Sequence, residues 1–275
     1  MRVKKNGMSE KVNWLDVLKL YGYVLKLSLK YKKRTLSLIN QEYNFGKWNR
    51  DITDSEIISL DGNYGKIGQI GIFAVNDKLV RMNYDEFGKN RDKEFLSFFE
   101  NFKEDDIIEL GCGLGGNLFT LYHAGFKNLE GCDLSTNAIS KLKNFVEKTN
   151  IKINFYVHNL NEPFLNDHIK NKIVFTHTVL EQTKNIMHNV LNNIIKGCPK
   201  LVINFEVNYD DEGLLVRKYF DSRDYQNNLV TELKKLEKLG KISIINIKKM
   251  QFSGSPVNRL SVIIWKPNLC NPSIS

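Results

Sequence analysis

The densest group of residues that could do chemistry lies between Glu109 and Asn117. The apolar pair Ile107-Ile108 leads into Glu109, the run Gly111-Cys112-Gly113-Leu114-Gly115-Gly116 follows, and an amphipathic helical pattern opens at Asn117. Glycine allows the backbone to turn sharply and lets a ligand approach main-chain N–H groups that a Cβ would block. The pattern therefore predicts a strand, a tight turn and a helix that together bind a ligand, with a carboxylate beside the turn.

A second acid stands at the distance that an adenosine ribose would require. Asp133 ends the run Leu129-Glu130-Gly131-Cys132-Asp133, 20 residues after Gly113. A carboxylate at the end of the second strand is placed to accept both ribose hydroxyls. Two cofactor classes use this layout. The pyrophosphate of a dinucleotide disfavours a carboxylate near the turn, whereas a sulfonium cofactor has a positive amine and no phosphate. Glu109 therefore favours the sulfonium.

The segment Glu109-Leu110-Gly111-Cys112-Gly113-Leu114-Gly115 resembles the first motif of the class I S-adenosylmethionine-dependent methyltransferases, acid-x-Gly-x-Gly-x-Gly. The resemblance extends over roughly residues 90–267. It implies an α/β fold, with a Rossmann-like, mostly parallel seven-stranded sheet, a reversed final strand and helices on both faces. It also implies S-adenosyl-L-methionine as the cofactor. The residues expected to contact that cofactor are Glu109, Gly111, Cys112, Gly113, Gly115, Asn117, Asp133, Leu134, Asn159, Leu160 and Thr176.

Polar residues follow the third and fourth predicted strands. Asn159 stands where the family usually has an Asp that contacts the adenine amine, and an amide oxygen can accept the same hydrogen bond. Leu134 and Leu160 would then sandwich the adenine. A hydroxyl acceptor must lose its proton, and His177, after the fourth strand, is the expected general base because the ordinary pKa of histidine lies near neutrality. The alternative is a histidine that only packs on the cofactor and acceptor.

Three further side chains are candidates for the acceptor side of the site. Glu181 could share a face with His177 if the next helix starts early, although a solvated acid at a helix N-terminus is the alternative. Tyr84 could close over the methionine end of the cofactor and take part in catalysis. Arg91 could bind an anionic acceptor.

The charge and the cysteines exclude several function classes. Residues 1–50 hold 12 Lys and Arg against three acids, and the remaining residues hold 28 of each sign, so the net charge of +9 belongs to the N-terminal segment. A protein that grips nucleic acid through its catalytic domain would show the basic excess there, and no stable nucleic-acid complex is expected. The four cysteines, Cys112, Cys132, Cys198 and Cys270, have no paired spacing. They predict reduced thiols in a cytoplasmic protein without a metal site.

The N-terminal segment is expected to form a cap over residues 1–90, before a methyltransferase domain over residues 91–275. Apolar residues at three- and four-residue steps predict one long helix or two short ones over 12–39, with lysines on the other face. That face is either solvated, or contacts an anionic membrane surface or an acidic partner. Residues 67–75 and 78–83 predict a hairpin.

Beyond the cap, helical and extended patterns alternate, as in a sheet that is covered on both faces. The pattern predicts helices at 91–102, 116–125, 135–148, 183–196 and about 223–239, strands at 107–111, 128–133, 153–157, 172–176, 201–207, 241–248 and 260–266, and a loop over the site at 208–222.

The expected activity is O-methylation of a small-molecule acceptor, such as a sugar or a phosphorylated or nucleotide-linked precursor, in a pathway such as bacterial surface polysaccharide synthesis. The balanced charge of residues 51–275 favours this acceptor class. The alternatives are an RNA or protein methyltransferase that docks through its basic N-terminus, and a non-catalytic binding protein. No Asn-Pro-Pro-Tyr-type tetrapeptide follows the fourth strand, which argues against nitrogen methylation of bases.

Overall fold

The computed structural model describes residues 10–29, 35, 37–38, 41–42, 69–165, 167–226 and 228–268. Its N-terminal part comprises strand β1 (Glu10–Lys11), helix α1 (Trp14–Ser28) and strands β2 (Ile70–Val75) and β3 (Lys78–Asn83). Of the two alternatives for residues 12–39, one long helix is wrong, because α1 ends at Ser28 with Leu29 as its C-cap, and the alternative of two short helices remains a prediction. Most of the range from residue 30 to 39 lies outside the described residues.

The predicted hairpin is confirmed for strands β2 and β3, which pair in antiparallel register. Asn76 and Asp77 both adopt positive φ, at 49° and 61°, as a two-residue hairpin turn of the mirror-image type requires. A third neighbour comes from far along the chain, since β10 (Phe252–Gly254) pairs with the other edge of β2. Residues 252–254, between the last two predicted strands, therefore belong to a four-stranded sheet of order β1-β3-β2-β10.

The central sheet has seven strands, as predicted, in the order β6-β5-β4-β7-β8-β11-β9. Strands β4 to β8 run parallel, and β11 is antiparallel to both of its neighbours. The reversed final strand is thereby confirmed. The bounds are β4 (Ile107–Leu110), β5 (Leu129–Asp133), β6 (Ile153–Val157), β7 (Ile173–His177), β8 (Leu201–Glu206), β9 (Ile242–Lys249) and β11 (Ser261–Pro267).

Helices cover both faces of this sheet because the strands are apolar on both sides. Ile107 and Phe175 face one core, and Ile108 and Val174 face the other, as the two-residue period of a strand dictates. The first core also takes apolar side chains from α2, α3, α4 and α6, and the second takes them from α5 and α7. The bounds are α2 (Tyr84–Ser97), α3 (Gly116–His123), α4 (Thr136–Thr149), α5 (Met187–Lys196), α6 (Leu214–Arg223) and α7 (Leu229–Lys238).

Three predicted boundaries are wrong for identifiable reasons. Helix α2 starts at Tyr84 rather than 91, because the side chain of Asn83 accepts a hydrogen bond from the Asp85 N–H and caps it. The expected boundary after residue 90 thus falls inside a helix. The predicted loop at 208–222 contains α6, which ends where Asp224 turns to a φ of 53°. That turn separates α6 from α7, where a single helix over 223–239 was expected.

Candidate active site

The glycine turn lies at the carboxyl end of β4, between the sheet and α3. Gly111, Gly113 and Gly115 have φ of 75°, 53° and 74°, which residues with a Cβ rarely adopt. The N–H groups of Gly111 and Cys112 both donate to the Cys132 carbonyl, at 2.8 and 2.9 Å. A Cβ on Gly111 would lie only 2.3 Å from Cγ2 of Val179, so this position also needs glycine for space.

Asp133 joins the turn to the next helix. Its Oδ2 accepts a hydrogen bond from the Gly113 N–H at 2.8 Å, and its Oδ1 accepts one from the Ser135 N–H at 2.8 Å. Ser135 in turn caps α4, because its side-chain oxygen accepts a hydrogen bond from the Ala138 N–H. These two hydrogen bonds orient the Asp133 carboxylate at the carboxyl end of β5.

The turn lies in a negative field. Glu109 is only 1 % exposed, and its Oε1 accepts a hydrogen bond from Asn117 Nδ2 at 2.7 Å. Burial raises the pKa of the Cys112 thiol well above its ordinary value, and the carboxylates of Asp133 and Glu109 raise it further. No Lys or Arg occurs between residues 107 and 125. The carboxylates of Glu109 and Asp133, without a nearby Lys or Arg in this segment, fit the positive charges of a sulfonium amino acid and would repel a pyrophosphate.

The loop after β6 carries the predicted adenine contacts. Leu160 is buried and Leu134 is half-buried. The side-chain oxygen of Asn159 accepts a hydrogen bond from the Asn161 N–H at 3.1 Å, and its amide nitrogen donates to Glu162 at 3.2 Å. The Asn159 oxygen would therefore meet an adenine amine through its second lone pair.

Thr176 ends in the interior rather than in the cleft. It is completely buried, and its Oγ1 accepts a hydrogen bond from Asn204 Nδ2 at 2.9 Å, while Asn204 Oδ1 accepts one from the Trp265 indole at 2.7 Å. The Thr176 hydroxyl therefore forms its hydrogen bond inside the sheet, so that only the main chain of Thr176 could contact a cofactor. His177 is half-buried at the strand end, with its ring 6.0 Å from that of Phe205.

The segment after His177 is held by a residue that the sequence reasoning missed. Oε1 of Glu206 accepts hydrogen bonds from the N–H groups of Val179 and Leu180, each at 3.1 Å. Residues 180–182 then form a 3-10 turn, which replaces the early helix start, and Glu181 is 7 % exposed within it. Glu181 is therefore a buried acid near His177 and not a solvated helix end. The available signal for Glu206 was an acid at the end of a strand that is apolar except for Asn204.

Tyr84 and Arg91 lie on α2, on the side of the cap. Tyr84 packs edge-on against Phe73 of the hairpin, with ring centroids 5.0 Å apart. Arg91 is 4 % exposed, and its guanidinium pairs with Asp92 at 2.8 Å. Because Arg91 is buried, its guanidinium could contact only an acceptor that is itself enclosed by the protein.

Other binding features lie elsewhere or are absent from the described residues. A groove of about 670 Å³ lies at the amino ends of β4, β5 and β6, opposite the glycine turn, and Asn128 and Asn154 are among its lining residues. Among the described residues there is no group of side chains that could hold a metal ion. None of the helices in the described ranges is long and apolar enough to cross a membrane.

Comparison with known proteins identifies the class. Residues 107–197 match the family described as methyltransferase domain, and no curated protein matches the chain. The magnesium protoporphyrin IX methyltransferase of Synechocystis PCC 6803, crystallised with bound SAH, has a similar structure, with a TM-score of 0.58 and 13 % identity over 84 % of this chain and 99 % of that one. A protein from Pyrococcus horikoshii OT3 gives 0.50 and 13 %, over 79 % and 100 %. Residues 107–197 thus match a methyltransferase domain, and the two solved structures share the fold of this chain.

Proposed function

We propose that this enzyme methylates an oxygen atom of a small-molecule acceptor, such as a sugar or a phosphorylated or nucleotide-linked precursor. The observation that carries the proposal is the adjacency of two structures at one sheet edge. The glycine turn with Glu109 and Asp133 offers a cation site, and the neighbouring strand β7 ends at His177, with Glu181 four residues further on. A base beside the expected methyl group is what a neutral hydroxyl acceptor requires.

The residues of the site would divide the work. Glu109, Asp133 and the turn would hold the cofactor, which supplies an already activated methyl group, with Leu134, Leu160 and Asn159 around its adenine. His177 would take the acceptor proton, and Glu181 would stabilise the imidazolium that forms.

On the cap side, Tyr84 would close over the site, and Arg91 would bind an anionic group of the acceptor. Because methyl transfer is an in-line displacement, the contribution of these residues is mainly one of positioning.

The distribution of charge supports a small acceptor. The basic excess lies in residues 1–50, and residues 51–275 are balanced, with 28 residues of each sign.

An RNA or protein methyltransferase that docks through the basic N-terminus is the alternative within the class. A non-catalytic binding protein is a weaker alternative, because the cofactor turn and its two acids are intact. The division into a cap and a catalytic domain, a cytoplasmic location and a role in surface polysaccharide synthesis are parts of the same proposal.

A labelled-methyl assay tests the acceptor class. The enzyme is incubated with methyl-labelled S-adenosylmethionine and with nucleotide sugars, sugar phosphates, a carboxylated porphyrin, total RNA or a protein extract. Label that appears on a sugar hydroxyl, and is lost in His177→Ala, is the expected result. Label that appears in RNA or protein alone would contradict the proposal.

Helix α1 suggests where the acceptor is met. One side of α1 faces the protein: Asp16 pairs with Arg81 of β3 at 2.6 Å, and Val24 is buried. The opposite side presents an exposed stripe at four- and three-residue steps. Its members are Trp14, Leu18, Tyr21, Leu25 and Leu29, with exposed fractions of 47–82 %. Because the other side of α1 already packs on the protein, the exposed apolar stripe remains for contact with another surface.

We assign that stripe to an anionic membrane surface. Lys19 and Lys26 are exposed beside the stripe, and residues 1–50 carry a net charge of +9. Trp, Tyr and Leu beside lysines are typical of helices that lie in the lipid headgroup region. A second copy of the chain would bring two such basic segments together, which their repulsion opposes. An enzyme held there would act on an acceptor with a lipid-linked or membrane-proximal portion.

Vesicle flotation tests this assignment. The full chain should float with phosphatidylcholine vesicles that contain about a quarter phosphatidylglycerol and not with phosphatidylcholine alone. Leu18→Glu with Leu25→Glu should abolish flotation, whereas Leu239→Glu, a leucine 69 % exposed elsewhere, should not. Failure of the wild-type chain to float, or a stable dimer that the double variant dissociates, would overturn the assignment.

A further inference from the structure

Glu206 is a buried carboxylate whose partners lie on the segment that follows His177. It is the last residue of β8 and is 1 % exposed. Its Oε1 accepts both the Val179 and Leu180 N–H groups, from residues 27 and 26 positions earlier in the chain. A single carboxylate oxygen thus satisfies two consecutive main-chain donors that have left the strand and would otherwise be buried without a partner.

The segment that Glu206 holds is under conformational constraint. Thr178 adopts a φ of 55°, which is uncommon for a β-branched residue and persists only where the surroundings enforce it. Val179 then lies directly against Gly111, where no Cβ would fit. The two hydrogen bonds to Glu206 therefore fix the position of the segment after β7 relative to the glycine turn.

Buried polar side chains of Thr176, Asn204 and Trp265 lie on the side of the Glu206 carboxylate that faces the sheet interior. The Trp265 indole can only donate, and it donates to Asn204, whose amide nitrogen donates to Thr176. Burial raises the pKa of the Glu206 carboxyl, and the nearby Thr176 hydroxyl lowers it by less. Residues of β7, β8 and β11 thus contribute to the buried polar surroundings of Glu206.

We propose that Glu206 is a positioning residue for methyl transfer. It holds residues 178–181 so that His177 and Glu181, at either end of the segment, face the cofactor turn at a fixed distance. The inference rests on the proposed function, since it assigns the reacting groups to that segment. Direct proton transfer to Glu206 is the competing role. It is disfavoured because the carboxyl is closed off from the cleft and one of its oxygens already accepts two hydrogen bonds.

Two substitutions of opposite kind separate the roles. Glu206→Gln keeps an oxygen at the same reach and removes the ability to take a proton. Glu206→Asp keeps the carboxylate and shortens its reach by one methylene, which draws the oxygen away from both N–H groups. Glu212→Gln is the matched control, since Glu212 is a similarly buried acid (4 % exposed) in the loop after β8.

Positioning predicts that Glu206→Asp lowers kcat roughly tenfold to a hundredfold while the Kd for S-adenosylhomocysteine changes little. Glu206→Gln should stay within about threefold of wild type. Hydrogen exchange at the amides of Val179 and Leu180 should accelerate in Glu206→Asp and not in Glu206→Gln or Glu212→Gln. The exchange measurement needs no acceptor, so it tests the hold on the segment even if the proposed acceptor class is wrong.

The reverse pattern would overturn the proposal. An inactive Glu206→Gln beside an active Glu206→Asp would make Glu206 a proton acceptor. Unchanged exchange and turnover in Glu206→Asp would mean that other contacts hold the segment.

Discussion

The two halves of the site are held by different kinds of contact. The cofactor half, formed by β4, β5 and the glycine turn, is braced by hydrogen bonds of Asp133 to Gly113 and Ser135, at separations of 20 and two residues. The acceptor half, formed by β7, β8 and residues 178–182, depends on Glu206, at separations of 26 and 27. Both halves are built on two consecutive parallel strands, but the acceptor half also depends on β11, whose Trp265 indole donates to Asn204 at a separation of 61 residues.

The difference suggests that the halves can change independently. A cofactor site built from one strand–turn–helix unit keeps its geometry when the acceptor side is altered. An acceptor side held through side chains of neighbouring strands can be reshaped by exchanging those side chains. The halves meet where Val179 lies against Gly111, and perturbation there should affect both.

The largest effect is expected at the reacting end of the acceptor half. His177→Ala should lower turnover by about 10²–10⁴, because the acceptor hydroxyl loses its general base. The wild-type rate should rise with pH as an imidazole loses its proton, and the variant should lack that rise. Near-normal turnover in His177→Ala would indicate an acceptor that is already ionised, and Arg91 would be the next residue to change.

The junction of the halves should respond next. Gly111→Ala should lower the free energy of unfolding by about 2–4 kcal/mol, because it adds left-handed strain to a clash with Val179. Gly125→Ala is the control, since its φ of 93° carries strain but no atom lies within 4 Å of the added Cβ. Urea unfolding gives both values, and Val179→Ala should relieve part of the loss at Gly111. Equal losses of unfolding free energy in Gly111→Ala and Gly125→Ala would show that the contact between Gly111 and Val179 does not couple the two halves.

The acceptor half should also show a pH dependence of stability. Burial raises the pKa of Glu206 from 4.5 to about 7. Its contribution to stability is therefore complete below the unfolded pKa and is lost as pH rises through about 7, a change of about 3 kcal/mol. Wild type should lose stability relative to Glu206→Gln between acidic and alkaline pH, as measured by urea midpoints. A constant difference would mean that Glu206 does not titrate in this range.

The two halves also differ in how far the sequence predicts them. The turn and Asp133 could be predicted from local spacing, because glycines and a strand-end acid act within one strand–turn–helix unit and the strand after it. Glu206 could not be assigned, since its partners depend on which strand lies beside β7. Thr176 was expected at the cofactor, yet its hydroxyl is used inside the sheet by Asn204. Helix α6 was missed because the acids at 210–212, just before it, make the whole range 208–222 resemble a surface loop, although α6 itself holds one acid against three basic residues.

Calorimetry with S-adenosylhomocysteine tests the separation of the halves most directly. Asp133→Ala should weaken binding about tenfold or more, since each charge-assisted bond to a ribose hydroxyl contributes roughly 1.5–3 kcal/mol. Glu130→Ala, an acid on the same strand that pairs with Lys172, should leave binding unchanged, and so should His177→Ala. Unaltered affinity in Asp133→Ala, or a comparable loss in His177→Ala, would contradict a cofactor site confined to β4, β5 and the glycine turn.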